Sequence, residues 1–214
     1  KEGDQDSLNI SGIYVDATFG RGGHSRLLLS QLADDATLIV FDKDPTAISV
    51  AQELASKDSR VRVVHDSFAT LTDSLAAMGI TEVDGLMADL GISSPQIDDG
   101  SRGFSFMRDG AVDMRMDTSR GQSVAEWLET VDDETLANVL YEFGEERHSR
   151  RIARAIKQME SYESTLELAE VIKVAHPNWQ RGKHPATQSF QAMRIFINNE
   201  LGDVDDFLAQ SIPI

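Results

Sequence analysis

The sequence contains no cysteine among its 214 residues. This absence excludes disulfides, thiolate metal sites and cysteine nucleophiles together. The sequence also lacks an unbroken run of about 18 apolar residues, so it predicts no membrane-spanning helix. No apolar signal-peptide core follows the polar residues 1–6, and we expect a cytoplasmic protein. The length and the 41% hydrophobic content suit one α/β domain, or one domain with an insertion.

Basic residues are scarce overall, since 20 Lys and Arg face 36 Asp and Glu and the net charge is −16. Taken alone, this balance argues against nucleic-acid binding, because phosphate contacts need clustered Lys and Arg. Residues 147–157 are locally basic, however, and Arg181, Lys183, His184 and Arg194 follow them. This stretch has two interpretations, a nucleic-acid surface or a solvated helix face, and composition does not choose between them.

Four predicted strands alternate with three predicted helices in the first part of the chain. The strands cover residues 13–16, 37–41, 61–64 and 83–88, and the helices cover residues 25–32, 45–56 and 71–78. The second strand is apolar throughout, which is typical of a strand buried on both faces. The alternation predicts an α/β fold with a doubly wound parallel sheet, in which ligands bind at the carboxyl ends of the strands.

The alternation stops after Asp89. Residues 91–121 predict a long ordered loop, because glycine, proline and aromatic residues are mixed there with charges. Helical patterns follow from residue 123 to about 175, and residues 184–190 then lead into another helix that runs through Leu201 and beyond. We therefore expect an inserted helical subdomain at about residues 122–181.

Residues 16–24, Asp-Ala-Thr-Phe-Gly-Arg-Gly-Gly-His, form a glycine turn after the first strand. Its three glycines let the backbone turn tightly and approach a ligand closely. They are Gly20, Gly22 and Gly23. The dinucleotide fingerprint Gly-x-Gly-x-x-Gly is imperfect, because Ser25 takes the third glycine position. Asp16 would repel a pyrophosphate but can accept hydrogen bonds from a cationic amino-acid group. The turn thus favours S-adenosylmethionine over NAD, with a turn that merely packs as the alternative.

Two later residues extend this predicted nucleoside site. Asp42 ends the second strand, and a carboxylate there can accept both ribose hydroxyls of an adenosine. The alternative is an N-cap for the helix that begins at Pro45, a role that Asp44 can serve equally well. Phe68, after the third strand, can lie against an adenine ring, although a single Phe more often belongs to the core.

The segment Asp-Leu-Gly-Ile-Ser-Ser-Pro-Gln at residues 89–96 follows the fourth strand and is rich in acceptors. An exocyclic amine on a base is a poor nucleophile, because its lone pair is delocalised into the ring. Acceptors that hold its hydrogens favour the more nucleophilic geometry. The alternative is an ordinary strand-to-loop turn. Without cysteine, methylation at C5 of a pyrimidine has no thiolate to begin it, so an amine or hydroxyl acceptor is left. The five histidines show no ligand spacing, and we expect no metal.

Six segments in this order resemble the bacterial 16S ribosomal RNA (cytosine-N4)-methyltransferases of the MraW type. They are residues 16–25, 89–99, 102–110, 113–117, 143–147 and 184–194, and the resemblance covers nearly the whole chain. It implies a Rossmann-like class I methyltransferase fold. It also implies a cytoplasmic enzyme that transfers a methyl group from S-adenosylmethionine to N4 of a decoding-region cytidine in the small ribosomal subunit. The cofactor domain would be residues 1–121 and about 182–214, and the inserted subdomain would recognise the substrate.

The resemblance also assigns roles by motif. With Gly20 from the turn, the implied cofactor contacts are Gly22, Gly23, His24, Asp42, Phe68, Asp89 and Gln96. The implied catalytic residues are Asp89, Ser94 and Pro95. Residues 93–96 are only loosely similar to the Ser/Asp/Asn-Pro-Pro-aromatic motif of other amino-methyltransferases, because the second Pro and the aromatic are absent. The candidate RNA-binding residues are Arg147, Arg150, Arg151, Lys183 and His184.

Several alternatives stay open on the sequence. A small-molecule or protein methyltransferase on the same fold suits the acidic net charge, and a non-catalytic binding module is a third interpretation. A homodimer is left open, since nothing in the sequence fixes the oligomeric state. Family members continue beyond the position of Ile214, so we expect a shortened chain in which the later strands of the sheet are missing.

Overall fold

The computed structural model describes residues 8–177 and 184–212. The chain forms two compact units, Lys1–Gly91 with Leu201–Ile214, and Ile92–Glu200. These divisions fall at other residues than the expected 121/122 and 181/182, because the long loop and the helix after residue 184 pack within the second unit. The assignment of cofactor binding and substrate recognition to separate domains stays a prediction. Within the described ranges, no helix is long and apolar enough to cross a membrane.

The first unit contains a four-stranded parallel sheet. Its strands are β1 (Ile13–Asp16), β2 (Thr37–Asp42), β3 (Val61–His65) and β4 (Gly85–Met87). Their order is β3-β2-β1-β4, and each neighbouring pair is parallel. The predicted doubly wound parallel sheet is confirmed. The fourth strand is shorter than expected at both ends, and just before it the carboxylate of Asp84 accepts a hydrogen bond from the backbone N–H of Ile13 at 2.8 Å.

Helices cover both faces of this sheet. They are α1 (Gly23–Leu29), α2 (Pro45–Lys57), α3 (Leu71–Ala77) and, at the end of the chain, α10 (Glu200–Ser211). Leu38 and Val40 of β2 pack with α1 and α2, whereas Ile39 and Phe41 pack on the other face with α3 and Phe207 of α10. These four side chains of β2 are fully buried. This explains the continuous apolar run, because a strand covered on both faces has no solvent side.

The second unit is helical around one apolar core. Its helices are α4 (Ser94–Asp98), α5 (Val124–Thr130), α6 (Asp133–Gly144), α7 (Ser149–Ile156), α8 (Thr165–Ala175) and α9 (Ala186–Ile197). Phe104 and Met114 of the long loop are buried in the same core. The prediction of a continuous helix through Leu201 is wrong, because α9 ends at Ile197 and Asn199, whose φ of 51° lies in the left-handed region, separates it from α10.

Helices α6 and α9 meet at a position where only hydrogen fits. A Cβ on Gly144 would lie 2.5 Å from the carbonyl oxygen of Gln188 and 3.0 Å from the Cβ of Ala192. Backbone cannot yield as a side chain tip can, so the two helices would have to separate.

We therefore expect Gly144→Ala to lower the free energy of unfolding by about 1–3 kcal/mol. Urea unfolding followed by circular dichroism measures this loss. Gly23→Ala is the matched control, since a Cβ there meets nothing within 4 Å and should leave stability unchanged or slightly higher. Equal stability of the two variants would contradict the close approach.

Candidate functional site

The glycine turn connects β1 to α1 and is shaped by its backbone angles. Gly20 and Gly22 have φ of 56° and 71°, a region that side chains rarely adopt. A Cβ on Gly22 would lie 2.5 Å from the ring of Phe19, so this glycine is required by the fold itself. Added Cβ atoms on Gly20 and Gly23 would meet nothing within 4 Å. The turn thus keeps open space beside its backbone, where a ligand can approach closely, and His24 is exposed next to it.

Asp16 is buried at the end of β1, with 2% of its surface exposed. One carboxylate oxygen accepts a hydrogen bond from the backbone N–H of Thr18 at 3.1 Å, and the other from the hydroxyl of Ser25 at 2.6 Å. Burial raises the pKa of Asp16, although the Ser25 hydrogen bond opposes the rise. This hydrogen bond explains why a serine stands at the third glycine position of the fingerprint. It ties the first turn of α1 to this acid.

Asp42 supports the glycine turn from the neighbouring strand. Its Oδ2 accepts a hydrogen bond from the backbone N–H of Gly20 at 2.8 Å, and its Oδ1 accepts one from the N–H of Asp44 at 2.9 Å. Asp44, not Asp42, caps α2, because its carboxylate accepts from the N–H of Thr46 at 2.9 Å. Burial raises the pKa of Asp42 against these backbone hydrogen bonds. Each of its oxygens has a second lone pair for a further donor.

Asp89 lies just after β4 and is exposed. Its backbone N–H donates to the hydroxyl of Thr18 at 2.6 Å, so the glycine turn also positions this acid. The charges of His24 and Asp89 both act on the pKa of Asp16, the first lowering it and the second raising it. The structure therefore brings four predicted site residues together in the first unit, namely Gly20, His24, Asp42 and Asp89. Sequence reasoning missed Thr18 and the role of Ser25, although both lie in or beside the glycine motif.

Phe68 opens a short 3-10 turn after β3 and is half-buried. Its ring meets the ring of Phe207 edge-on, with 5.1 Å between the centroids. The Phe68 ring therefore packs on one side against the core of the first unit, as the core interpretation expects. Its contact with an adenine stays a prediction.

Three further predicted residues lie in the second unit at the start of α4. Ser93 is the N-cap of this helix, and Pro95 lies in its first turn. The side chain of Gln96 is buried, and its Oε1 accepts from the backbone N–H of Ser93 at 3.0 Å. Gln96 thus completes a capping box, a structural role that its position three residues after Ser93 could have indicated. Ser94 is exposed. The catalytic roles of Ser94 and Pro95 and the cofactor role of Gln96 stay predictions.

The predicted RNA-binding arginines also lie in the second unit, at α7. Arg147 precedes this helix, and Arg150 and Arg151 lie in its first turn, all three exposed. The opposite face of α7 is buried through Ile152 and Ile156, so the helix presents its arginines to solvent. None of the three arginines makes an ion pair with a residue in ranges 8–177 and 184–212.

His184 is tied into the second unit. Its Nδ1 accepts from the backbone N–H of Ala186 at 3.2 Å, and its ring lies 4.5 Å from the ring of Phe106. Partial burial, with the nearby charge of Lys173, lowers the pKa of His184, which disfavours the protonated ring that a phosphate would bind. Lys183, like Arg181, lies outside the described residues. In the described part of the chain, no three His, Asp or Glu side chains are grouped as a metal site requires.

The first unit thus has strand order 3-2-1-4, a glycine turn after β1 and an acid at the end of β2 that holds this turn. These features are those of a Rossmann-like fold of the class I methyltransferase type. The chain belongs to the MraW methylase family, whose sequence model matches residues 6–214. The resemblance inferred from the six motifs is confirmed.

Several curated relatives carry the name ribosomal RNA small subunit methyltransferase H. The chain is 93% identical over 210 residues to the protein of Psychrobacter cryohalolentis, covering 98% of the chain and 61% of that relative. It is 77% identical over 203 residues to that of Psychrobacter sp. (strain PRwf-1), covering 95% and 60%. It is 57% identical over 204 residues to that of Acinetobacter baylyi, covering 95% and 67%. The chain therefore spans about three fifths of the length of its Psychrobacter relatives.

The raised pKa values of Asp16 and Asp42 can be measured directly. We expect the carboxyl carbons of Asp16 and Asp42 to titrate above the usual aspartate range in NMR spectra of the labelled protein. Asp113 is the internal control. Burial acts to raise its pKa too, but hydrogen bonds from Arg115, including one at 2.8 Å, hold the pKa below its usual value. Titration of Asp42 at or below the pH of Asp113 would contradict the desolvated site.

Proposed function

We propose that this chain binds S-adenosylmethionine and supports transfer of its methyl group to the exocyclic N4 amine of a cytidine in the decoding region of 16S ribosomal RNA. The observation that carries the proposal is the glycine turn held by Asp42 beside the buried Asp16. Membership of the MraW methylase family and the printed name of the relatives support it. We place the reaction in the cytoplasm, on RNA that belongs to the small ribosomal subunit.

The acids of the first unit suit a cationic cofactor. S-adenosylmethionine supplies an electrophilic methyl group on a positively charged sulfonium. Burial disfavours the ionised forms of Asp16 and Asp42, and a nearby cation offsets that cost. The remaining lone pairs of Asp42 can accept the ribose hydroxyls, and the open space at Gly23 admits close approach of the ligand to the backbone. A pyrophosphate would instead meet the negative charge of Asp16.

Asp89 is the proposed acceptor for the hydrogens of the target amine. It is exposed at the end of β4, and the Thr18 hydroxyl fixes its backbone. A carboxylate at this place favours the pyramidal amine and stabilises the positive charge that develops on nitrogen. Transfer to an amine needs no covalent enzyme intermediate, which suits a chain without cysteine. For Ser94 and Pro95 the family motif alone supports the catalytic role that we propose.

A second candidate is a methyltransferase for a small molecule or a protein. The net charge of −16 favours it, because an acidic surface repels RNA at long range. The arginines of α7 favour RNA instead, since no described residue forms an ion pair with them and their positive charge faces solvent.

The cofactor claim is tested with Asp42. We expect Asp42→Ala to weaken S-adenosylmethionine binding by roughly 10- to 100-fold, because hydrogen bonds to a charged acceptor contribute about 1.5–3 kcal/mol. Isothermal titration calorimetry of the chain measures the affinity. Asp73→Ala removes an exposed acid of α3 and should leave the affinity unchanged. Equal affinities of the wild type and the Asp42 variant would remove the central support of the proposal.

The acceptor claim is tested with Asp89. We expect incubation with small-subunit RNA and isotopically labelled cofactor to yield N4-methylcytidine, identified by mass spectrometry of the nucleosides. Asp89→Ala should slow this transfer by about 10²-fold, since one electrostatic contact to the reacting group has that typical effect. Asp73→Ala again serves as the control. Label on C5 of a pyrimidine, on ribose or on added protein would refute transfer to the amine.

A further inference from the structure

Helices α7 and α8 border a groove of about 780 Å³ within the second unit. Arg150, Arg151 and Arg154 line the α7 side, and Val171 and Val174 line the α8 side. We propose that this groove binds a single-stranded segment of RNA, with its phosphates on the three arginines and a base against the two valines. The inference rests on the proposed function for the class of its ligand, and it names a site that the cofactor and the reacting amine do not use.

The arginines of α7 lie where the local electrostatic potential is unfavourable for positive charge. Arg150 and Arg151 lie in the first turn, where the helix dipole is positive and disfavours cations, and no acid lies in that turn to compensate. Arg150 and Arg154 are four residues apart on one face and repel each other. In the described parts of the chain, no ion pair to any of the three offsets this cost. A bound anion would offset it.

Three arginines elsewhere in the protein have acidic partners. Arg60 pairs with Asp58 at 2.6 Å, Arg115 with Asp113 at 2.8 Å and Arg194 with Glu200 at 2.8 Å. In a chain with 36 acids, partners are plentiful. The acid that lines the groove, Glu170, pairs with Lys173 at 2.8 Å, so it does little to neutralise the arginines. The groove therefore keeps a net positive charge on a strongly acidic protein.

The apolar wall selects the kind of anion. Val174 is 71% exposed, a high value for a valine, and it faces the groove beside Val171. Phosphate alone gains nothing from such a surface, whereas an unpaired base has apolar faces that lose water against it. Guanidinium planes also stack on bases. A duplex buries its bases in pairs, so only a single strand brings phosphate and base to one groove together.

The dimensions of the groove fit this ligand. A volume of about 780 Å³ lies within the usual range of small-molecule sites, about 300–1,000 Å³, so a nucleotide can enter. Arg150 and Arg154 are separated by about 6 Å along the helix axis, so one segment of backbone can contact both.

The test measures binding of a fluorescent, unstructured single-stranded RNA to the intact chain by anisotropy over a series of salt concentrations. In the variant Arg150→Gln/Arg151→Gln/Arg154→Gln, we expect the slope of log K against log salt to become shallower by about 2, at roughly 0.7 per phosphate contact. Between 50 and 200 mM salt, the wild type should then lose roughly 20-fold more affinity than the variant. Circular dichroism checks that the variant, changed only at exposed positions, is folded.

Arg62→Gln is the matched control, because Arg62 is an exposed arginine of β3 for which the described residues provide no ion pair. It should leave the slope unchanged. Val174→Ser tests the apolar wall and should weaken the binding of single-stranded RNA without changing the slope of log K against log salt. Leu208→Ser, at another exposed apolar position, should leave RNA binding unchanged.

An unchanged slope in the triple variant would overturn the proposal, as would equal binding of a duplex RNA. The proposal is also overturned if the triple variant loses binding of polyglutamate but keeps binding of RNA, since the groove would then bind an acidic protein. Calorimetry with S-adenosylmethionine separates this inference from the proposed function. If the wild type does not bind S-adenosylmethionine but the salt dependence of its RNA binding still depends on the three arginines, methyl transfer is refuted and the groove remains an RNA site.

Discussion

The glycine turn of the first unit depends on a hydrogen bond from the backbone N–H of Gly20 to the carboxylate of Asp42. It joins the loop after β1 to the end of β2, so the glycine turn is held by the sheet and not by its own sequence alone. The second tie runs from Ser25 to Asp16 and fixes the start of α1. The acceptors are the buried carboxylate of Asp16 and the half-buried carboxylate of Asp42, both with raised pKa values, so the same interactions that shape the turn create a site that favours a cation.

The second unit is built from helices that bury apolar side chains on one face and expose charged side chains on the other. It has no sheet among its described residues, and its helices bury a common apolar core from α5, α6, α7, α8 and α9. Helix α7 contributes Ile152 and Ile156 to that core and turns its arginines outward. Such an arrangement lets a helix be structural on one face and carry charge on the other. The acidic composition of the whole chain conceals this positive surface, because net charge averages over faces that a ligand meets one at a time.

Sequence patterns predicted the sheet well because each signal was local. The apolar run of β2 and the Pro45 helix start were visible without tertiary contacts. The rest needed the fold. Asp42 and Asp44 were interchangeable as caps on the sequence, and only the geometry at Thr46 assigned the cap to Asp44. The break at Asn199 and the limits of the two units were also out of reach, because packing decides where a helix ends and which segment joins which core.

The sequence by itself determined the class of site: a glycine turn flanked by acids, an acceptor-rich segment after the fourth strand, and no thiolate for covalent attack on a ring. These are properties of residue type and spacing along the chain. Only the tertiary structure decided which oxygen of Asp42 meets Gly20, why Ser25 stands where a glycine is usual, and that the arginines of α7 share a groove with the valines of α8. Distances between residues far apart in the chain arise from packing, and packing is set by all side chains together.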